Sequence, residues 1–208
     1  MCGIAAGSNL LKTFNLYSNN LYRGCYSTGV LIIDTAYKAW VLKLKGIASI
    51  LELEKYIHDN SINVMYILMH SRAPTNTTEQ IFETDNNHPF MYDDLYAAHN
   101  GIITNFKELN QNKALVDSSI IPVLVRKNGL QKAFERMQGL LTCWLFDERN
   151  KNIYIIKAGS TLNISEDGYF SSTAFEGSKP VEDGSILELK DNKFNLLEKF
   201  NYINPYYV

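Results

Sequence analysis

Cysteine is scarce in this sequence. Cys2, Cys25 and Cys143 are the only three in 208 residues, an odd number at wide spacing, which excludes both a disulfide framework and a zinc signature. A reducing cytoplasm is the expected compartment, and it would keep Cys2 as a free thiol. Charge of one sign is also in short supply. Lysine and arginine number 20 against 22 acidic residues, and the basic residues are scattered, so no nucleic-acid partner is expected. The chain does not open on a basic stretch followed by an apolar run, so no signal peptide is expected. No apolar segment approaches the ~18 residues that a membrane span needs. The four histidines, His58, His70, His88 and His99, do not fall at metal-ligand spacing. No metal and no cofactor is expected, and the histidines read as structural, with His88 or His99 shaping a pocket as the alternative.

The sequence shows no internal repeat, low-complexity tract or Pro/Ser-rich linker, which points to one continuous domain. Hydrophobic residues make up 46% of the chain, enough for a substantial core. Short β-branched or aromatic runs bounded by Gly, Asn or Asp predict strands at 2–6, 29–34, 40–45, 64–70, 95–99, 140–146, 153–157, 169–172 and 185–189. The run from Val64 to Met69 is continuously apolar, as in a strand covered on both faces. Helical spacing is clearest over 49–58, where Ile50, Leu53 and Ile57 share a face. A second helix is predicted from Asp117 or Ser118, either of which can cap it, to about Lys127, with Pro122 near its first turn and Asn128-Gly129 ending it. A third follows over 130–137. Many strands with a few helices argue for a layered α+β architecture. The polar stretch 75–90 reads as a long loop, and such loops are often functional.

The chain begins Met1-Cys2-Gly3-Ile4. Removal of Met1 would put a thiol and a free α-amine on one Cα. The two groups titrate close together, the amine at roughly 7.7–8.0 and a thiol near ~8.5, so the amine can serve as base for its own side chain. The competing interpretation is a small residue opening a buried strand.

Three further segments make a case for amide hydrolysis. In Tyr22-Arg23-Gly24-Cys25-Tyr26-Ser27-Thr28-Gly29 the glycines suggest a close backbone approach, and Arg23 offers a planar fork of donors to hold the turn and the N-terminus. In His70-Ser71-Arg72-Ala73-Pro74-Thr75 a charge follows the most apolar strand and needs a partner. That partner is a carboxylate of the protein or of an amino-acid substrate, with Thr75 adding a hydroxyl. In His99-Asn100-Gly101-Ile102-Ile103 the pair Asn100-Gly101 ends a predicted strand. It is either a hairpin turn or an oxyanion hole built from the Asn100 amide and the Gly101 N–H.

Taken in order, Met-Cys-Gly-Ile, Tyr-Arg-Gly…Ser-Thr-Gly, His-Ser-Arg-x-x-Thr, Asn87-His88-Pro89, His-Asn-Gly-Ile-Ile and Asp117-Ser118-Ser119 resemble the glutaminase domain of class II glutamine amidotransferases, which are N-terminal nucleophile hydrolases. A weaker likeness continues to Val181-Glu182-Asp183-Gly184-Ser185. The resemblance implies a four-layer αββα sandwich with the N-terminal strand in a central sheet; members of the family carry a synthase domain as well, and the expectation here is one amidotransferase domain over 1–208 without it. It implies that Cys2 attacks the side-chain amide of L-glutamine, that ammonia leaves, and that a thioester on Cys2 is hydrolysed to glutamate. Carried over by position, Asn100 and Gly101 stabilise the oxyanion. Arg72 binds the α-carboxylate, Asp117 the α-ammonium, Thr75 and the Gly101 region complete the pocket, and Arg23 orders the loop beside the nucleophile. Two departures blur the subfamily: Tyr26 stands where many members have an acidic residue, and Ala73 where bulkier residues occur. The domain is expected to work alone or to supply ammonia to a separate synthase chain. The alternatives are an amidohydrolase for another amide and a catalytically silent glutamine-binding or regulatory module.

Overall fold

Two antiparallel sheets lie face to face, each with helices on its outer side. The computed structural model describes residues 1–73, 84–110, 114–202 and 204. In chain order the elements are β1 (Gly3–Gly7), α1 (Leu10–Ser18), β2 (Ser27–Asp34), β3 (Ala39–Lys45), α2 (Ile50–Asp59), β4 (Val64–Arg72), β5 (Phe90–Tyr92) and β6 (Leu95–Ile103). Then come α3 (Phe106–Leu109), α4 (Ile120–Asn128), α5 (Leu130–Arg136), β7 (Gly139–Asp147), β8 (Asn152–Lys157), β9 (Asn163–Ile164), β10 (Phe170–Ser171), β11 (Lys179–Pro180), β12 (Ser185–Lys190) and β13 (Lys193–Lys199). Among the described residues, one sheet runs β11-β9-β10-β1-β4-β2-β3 and the other β13-β12-β8-β7-β6-β5.

Side-chain alternation along the strands generates the layers. From β1, Ile4 and Ala6 point between the sheets, where they meet Leu31, Leu68, Ala98, Trp144, Phe146 and Ile155. Ala5, Val30, Ile32, Ile67 and Met69 point the other way, under Leu16 and Tyr17 of α1 and Leu53 of α2. On the far side of the second sheet, Leu141, Cys143 and Leu145 pack under Ile120, Ile121 and Leu124 of α4 and Phe134 of α5. The result is the expected αββα sandwich. It also explains the unbroken apolar run in β4, which is covered on both faces and buried from Tyr66 onward.

Capping and turns set the ends of the helices. Ser49 and Glu52 form a reciprocal capping box at the start of α2, worth about 1 kcal/mol. Gly129, at φ 82°, ends α4, a left-handed conformation that glycine adopts without strain. The predicted helix from Asp117 is corrected at its start: a turn of 3-10 helix spans Asp117–Ser119 and the α-helix begins at Ile120. Asn100-Gly101 is neither a hairpin nor a strand end, since β6 continues through it to Ile103, paired with β7. The sequence reading missed α1, α3, β5, β9, β11 and β13. Of the expected 75–90 loop, 75–83 lie outside the described residues. Residues 84–86 form a 3-10 turn and Phe90 opens β5.

Candidate active site

Strand register brings the separate segments together. β1 sits between β10 and β4, with Gly3 opposite Ser71, so Cys2 falls beside the Arg72–Ala73 end of β4. β2 pairs on the other side of β4, with Ser27 opposite Arg72. The Tyr22–Tyr26 loop is thereby drawn against the same backbone: Tyr26 N–H donates to Arg72 O at 2.9 Å. Gly24 has no room for a side chain, since a Cβ there would stand 2.5 Å from the Ala73 nitrogen. Arg23 Nε donates to the Cys2 carbonyl at 3.0 Å.

The Cys2 sulfur is buried, accepts the Ala73 N–H at 3.5 Å and lies 3.7 Å from Ala73 O. Burial pushes its pKa up. The Ala73 N–H, the chain's terminal charge and Arg72 act in the opposite direction, and Asp117 adds to the rise. Cys2 shares a cavity of about 30 Å3 with Arg72, Ala73, His88, His99, Gly101, Val116, Asp117 and Ser118. The walls are therefore polar and charged rather than hydrocarbon. The volume holds about two waters and is far short of a glutamine.

Opposite charges flank the thiol. Arg72 is buried, and its Nη1 donates to Asn86 O at 2.9 Å and to the Asn87 side-chain oxygen. Burial lowers its pKa, while Cys2, Asp117 and Tyr26 counter the drop. Asp117 accepts from Ile103 N–H at 2.8 Å and from Ser118 N–H at 2.8 Å; it is not the cap that the sequence suggested, since it lies inside the 3-10 turn and Ser119 precedes α4, and it lines the cavity. Thr75 lies outside the described residues.

Three histidines crowd beneath. Burial lowers His70 to about 3 and depresses His88 and His99 as well, so all are neutral near pH 7. His99 Nε2 sits 2.7 Å from Leu140 O and its Nδ1 3.0 Å from Ser118 Oγ. A carbonyl only accepts, so in the neutral ring Nε2 carries the proton and Nδ1 accepts from Ser118. The rings of His70 and His88 lie 3.8 Å apart between centroids, and neither nitrogen of His88 has a hydrogen-bond partner among the described residues. His88 and His99 both line the cavity, a role the sequence offered only as the alternative to structural histidines. Among the described residues no group of three or more His, Cys, Asp or Glu could hold a metal ion.

The oxyanion pair is only half gathered. Gly101 lines the cavity, and its lack of a side chain is required by Leu140 O, which would lie 1.9 Å from a Cβ there. Asn100 is fully buried and does not line the cavity. Its Nδ2 donates to Ser172 Oγ at 3.2 Å, and its Oδ1 has no partner among the described residues. Ser172 was missed by the sequence reading, and nothing in the one-dimensional pattern marks it.

No family model matches the chain. It is 28% identical over 206 residues to 7-cyano-7-deazaguanine synthase 2 of Sulfurisphaera tokodaii, across 85% of this chain and 45% of that protein. It is 26% identical over 236 residues to a glutamine–fructose-6-phosphate aminotransferase (isomerizing) of Wigglesworthia glossinidia brevipalpis, across 97% of this chain and 38% of that protein. The chain thus spans less than half the length of these relatives. The solved glutamine phosphoribosylpyrophosphate amidotransferase from B. subtilis superposes with a TM-score of 0.73 at 17% identity, over 96% of this chain and 49% of that one. The resemblance read from the motifs is borne out as a likeness: the chain is similar in sequence to a glutamine–fructose-6-phosphate aminotransferase and shares the αββα fold of the solved amidotransferase.

Proposed function

We propose that this domain is a glutaminase that hydrolyses L-glutamine through a thioester on Cys2. The observation that carries the reading is the thiol of the second residue set between a buried guanidinium and a carboxylate, Arg72 and Asp117, in one cavity. An amino acid presents the complementary pair, an α-carboxylate and an α-ammonium, so the site selects a free amino acid over an amide lacking those charges.

The chemistry follows from placement. Excision of Met1, which is 72% exposed, leaves the Cys2 α-amine free to take the thiol proton. Burial disfavours the thiolate, so this adjacent base matters more than it would in water. The thiolate attacks the side-chain carbonyl carbon of glutamine and forms a C–S bond. Charge develops on the carbonyl oxygen, and donors at Gly101 and Asn100 stabilise it, each worth ~2.7–4 kcal/mol in such sites. Collapse breaks the C–N bond, and the ammonium returns its proton to the departing ammonia. Water, deprotonated by the same amine, then attacks the thioester and releases glutamate and the thiol.

The same proposal takes residues 1–208 as one amidotransferase domain working in the cytoplasm and handing ammonia to a separate synthase chain. No described helix is long and apolar enough to cross a membrane. The test is glutamate and ammonia release by Met1-free protein and by its Cys2→Ala variant. Turnover in the first and none in the second supports the reading, and equal turnover in both refutes it.

A further inference from the structure

Asn100 and Ile4 face the same interior layer. Along β6, Asn100 shares a face with Ala98, which packs between the sheets against Ile4. Cys2 lies two residues before Ile4, just ahead of β1. One hydroxyl joins these two strands. Ser172 Oγ accepts the Ile4 N–H at 3.0 Å and the Asn100 amide at 3.2 Å, and Ser172 N–H donates to Ile4 O at 2.9 Å. Ser172 is itself 2% exposed.

The hydrogen-bond pattern has a mismatch and a simple repair. With Nδ2 toward Ser172, the hydroxyl oxygen accepts twice and gives nothing to Asn100, while Asn100 Oδ1 is buried with no partner among the described residues. The two ends of an amide are equal in size, and turning it exchanges the unpartnered Oδ1 for an unpartnered NH2 while giving the Ser172 hydroxyl proton an acceptor. A half-turn of the amide lets Oδ1 accept the Ser172 hydroxyl proton. Ser172 still accepts from Ile4, and the Asn100 NH2 is left as a free donor. An oxyanion hole needs donors, so only the turned amide serves one.

We propose that Ser172 is a positioning residue for the oxyanion hole: its hydroxyl donates to Asn100 Oδ1 and so holds the Asn100 NH2 toward the reacting carbonyl oxygen. The inference rests on the glutaminase reading for the identity of that oxygen and for the need of a donor there, and on the unpartnered Asn100 Oδ1 beside the Ser172 hydroxyl for the turned amide.

Two measurements test it separately. In the kinetics of Met1-free protein, Ser172→Ala lowers kcat roughly tenfold with KM unchanged, the scale of one lost hydrogen bond. Ser172→Thr, which keeps the hydroxyl, restores most of it. In an Asn100→Ala background Ser172→Ala has no further effect. Full activity in Ser172→Ala, or an undiminished loss in the Asn100→Ala background, overturns the proposal. Neutron diffraction from the deuterated, Met1-free protein reads the orientation without any turnover. Deuterium on Ser172 Oγ directed at Asn100 Oδ1 supports the proposal, and an ND2 group directed at Ser172 overturns it. Inactivity of the unmutated protein on glutamine would sink the glutaminase reading, and the neutron map would still decide the amide.

Discussion

Arg23 Nε donates to the carbonyl of Cys2 at 3.0 Å, so the loop after α1 holds the proposed nucleophile's residue by its backbone. The adjacent Gly24 is pressed onto the Arg72–Ala73 backbone, and Arg23 has little freedom to do anything else. Arg23→Ala releases the start of β1 without touching the inner core. We expect kcat for glutamine to fall roughly tenfold, the scale of one charge-assisted hydrogen bond, with Tm lowered only slightly. Steady-state kinetics paired with a thermal melt check this.

Asp117→Asn separates charge from geometry. The amide oxygen can keep the Ile103 N–H bond, now made by Asp117 Oδ2 at 2.8 Å, while the NH2 cannot accept the Ser118 N–H that Oδ1 takes at 2.8 Å, so the tie to β6 is kept and one bond of the turn is lost. The proposed partner of the substrate ammonium is lost. KM for glutamine should rise about 10- to 100-fold with a smaller change in kcat, as expected for a group that binds ground and transition states alike. A fall in kcat with KM unchanged would place Asp117 elsewhere in the cycle.

The three thiols should alkylate in a fixed order. Cys25 is exposed, while Cys2 and Cys143 are buried. Burial raises the pKa of Cys2 and lifts Cys143 well above the ordinary thiol value. The thiolate is the reactive form, so iodoacetamide should label Cys25 first. It should reach Cys2 of the Met1-retaining protein only as pH climbs above the usual thiol range, and should spare Cys143 until the protein unfolds. Peptide mass spectrometry over a pH series reads the order directly.

Stability should fall on mild acidification. His70, at about 3 when folded, and the depressed His88 and His99 all titrate near ~6.5 once unfolded. Below that value the unfolded chain binds more protons than the folded one, so protons favour unfolding. The loss begins near pH 6.5 and continues down to the folded pKa values. Its limiting slope is about 1.4 kcal/mol per pH unit for each histidine. Urea midpoints between pH 7 and pH 5 test this, and a flat profile would mean that these rings take up protons as readily in the folded state as in the unfolded one.

Strand positions were the readable part of the fold. The runs at 64–70 and 140–146 carry enough apolar and β-branched residues to announce buried strands, and both are found, extended by one or two residues. The helix α1 was hidden by its polar members: Thr13 and Asn15 interrupt the apolar spacing, and its Asn9 cap resembles an ordinary turn. β13 escaped because it is an edge strand exposed nearly throughout, without the one-sided burial that creates a period of two. At the site, Cys2, Arg23 and Arg72 were singled out because charge or chemical type makes them conspicuous, whereas Asp117 read as a helix cap and gained a substrate role only from the family resemblance. Asn100-Gly101 misled as a turn because the reason for its glycine is a neighbouring strand, Leu140 O, which is invisible in one dimension. Ser172 was missed for the same reason: a serine acquires its meaning from the two strands that it joins.

The most direct test of the central claim is acid quenching of Met1-free protein mixed with L-glutamine, followed by mass spectrometry of the N-terminal peptide. The account predicts a γ-glutamyl group on the peptide that begins with Cys2, and none on protein that retains Met1 or on Cys2→Ala. Glutamate released at full rate with no adduct on that peptide, or an adduct formed equally with Met1 in place, would contradict it.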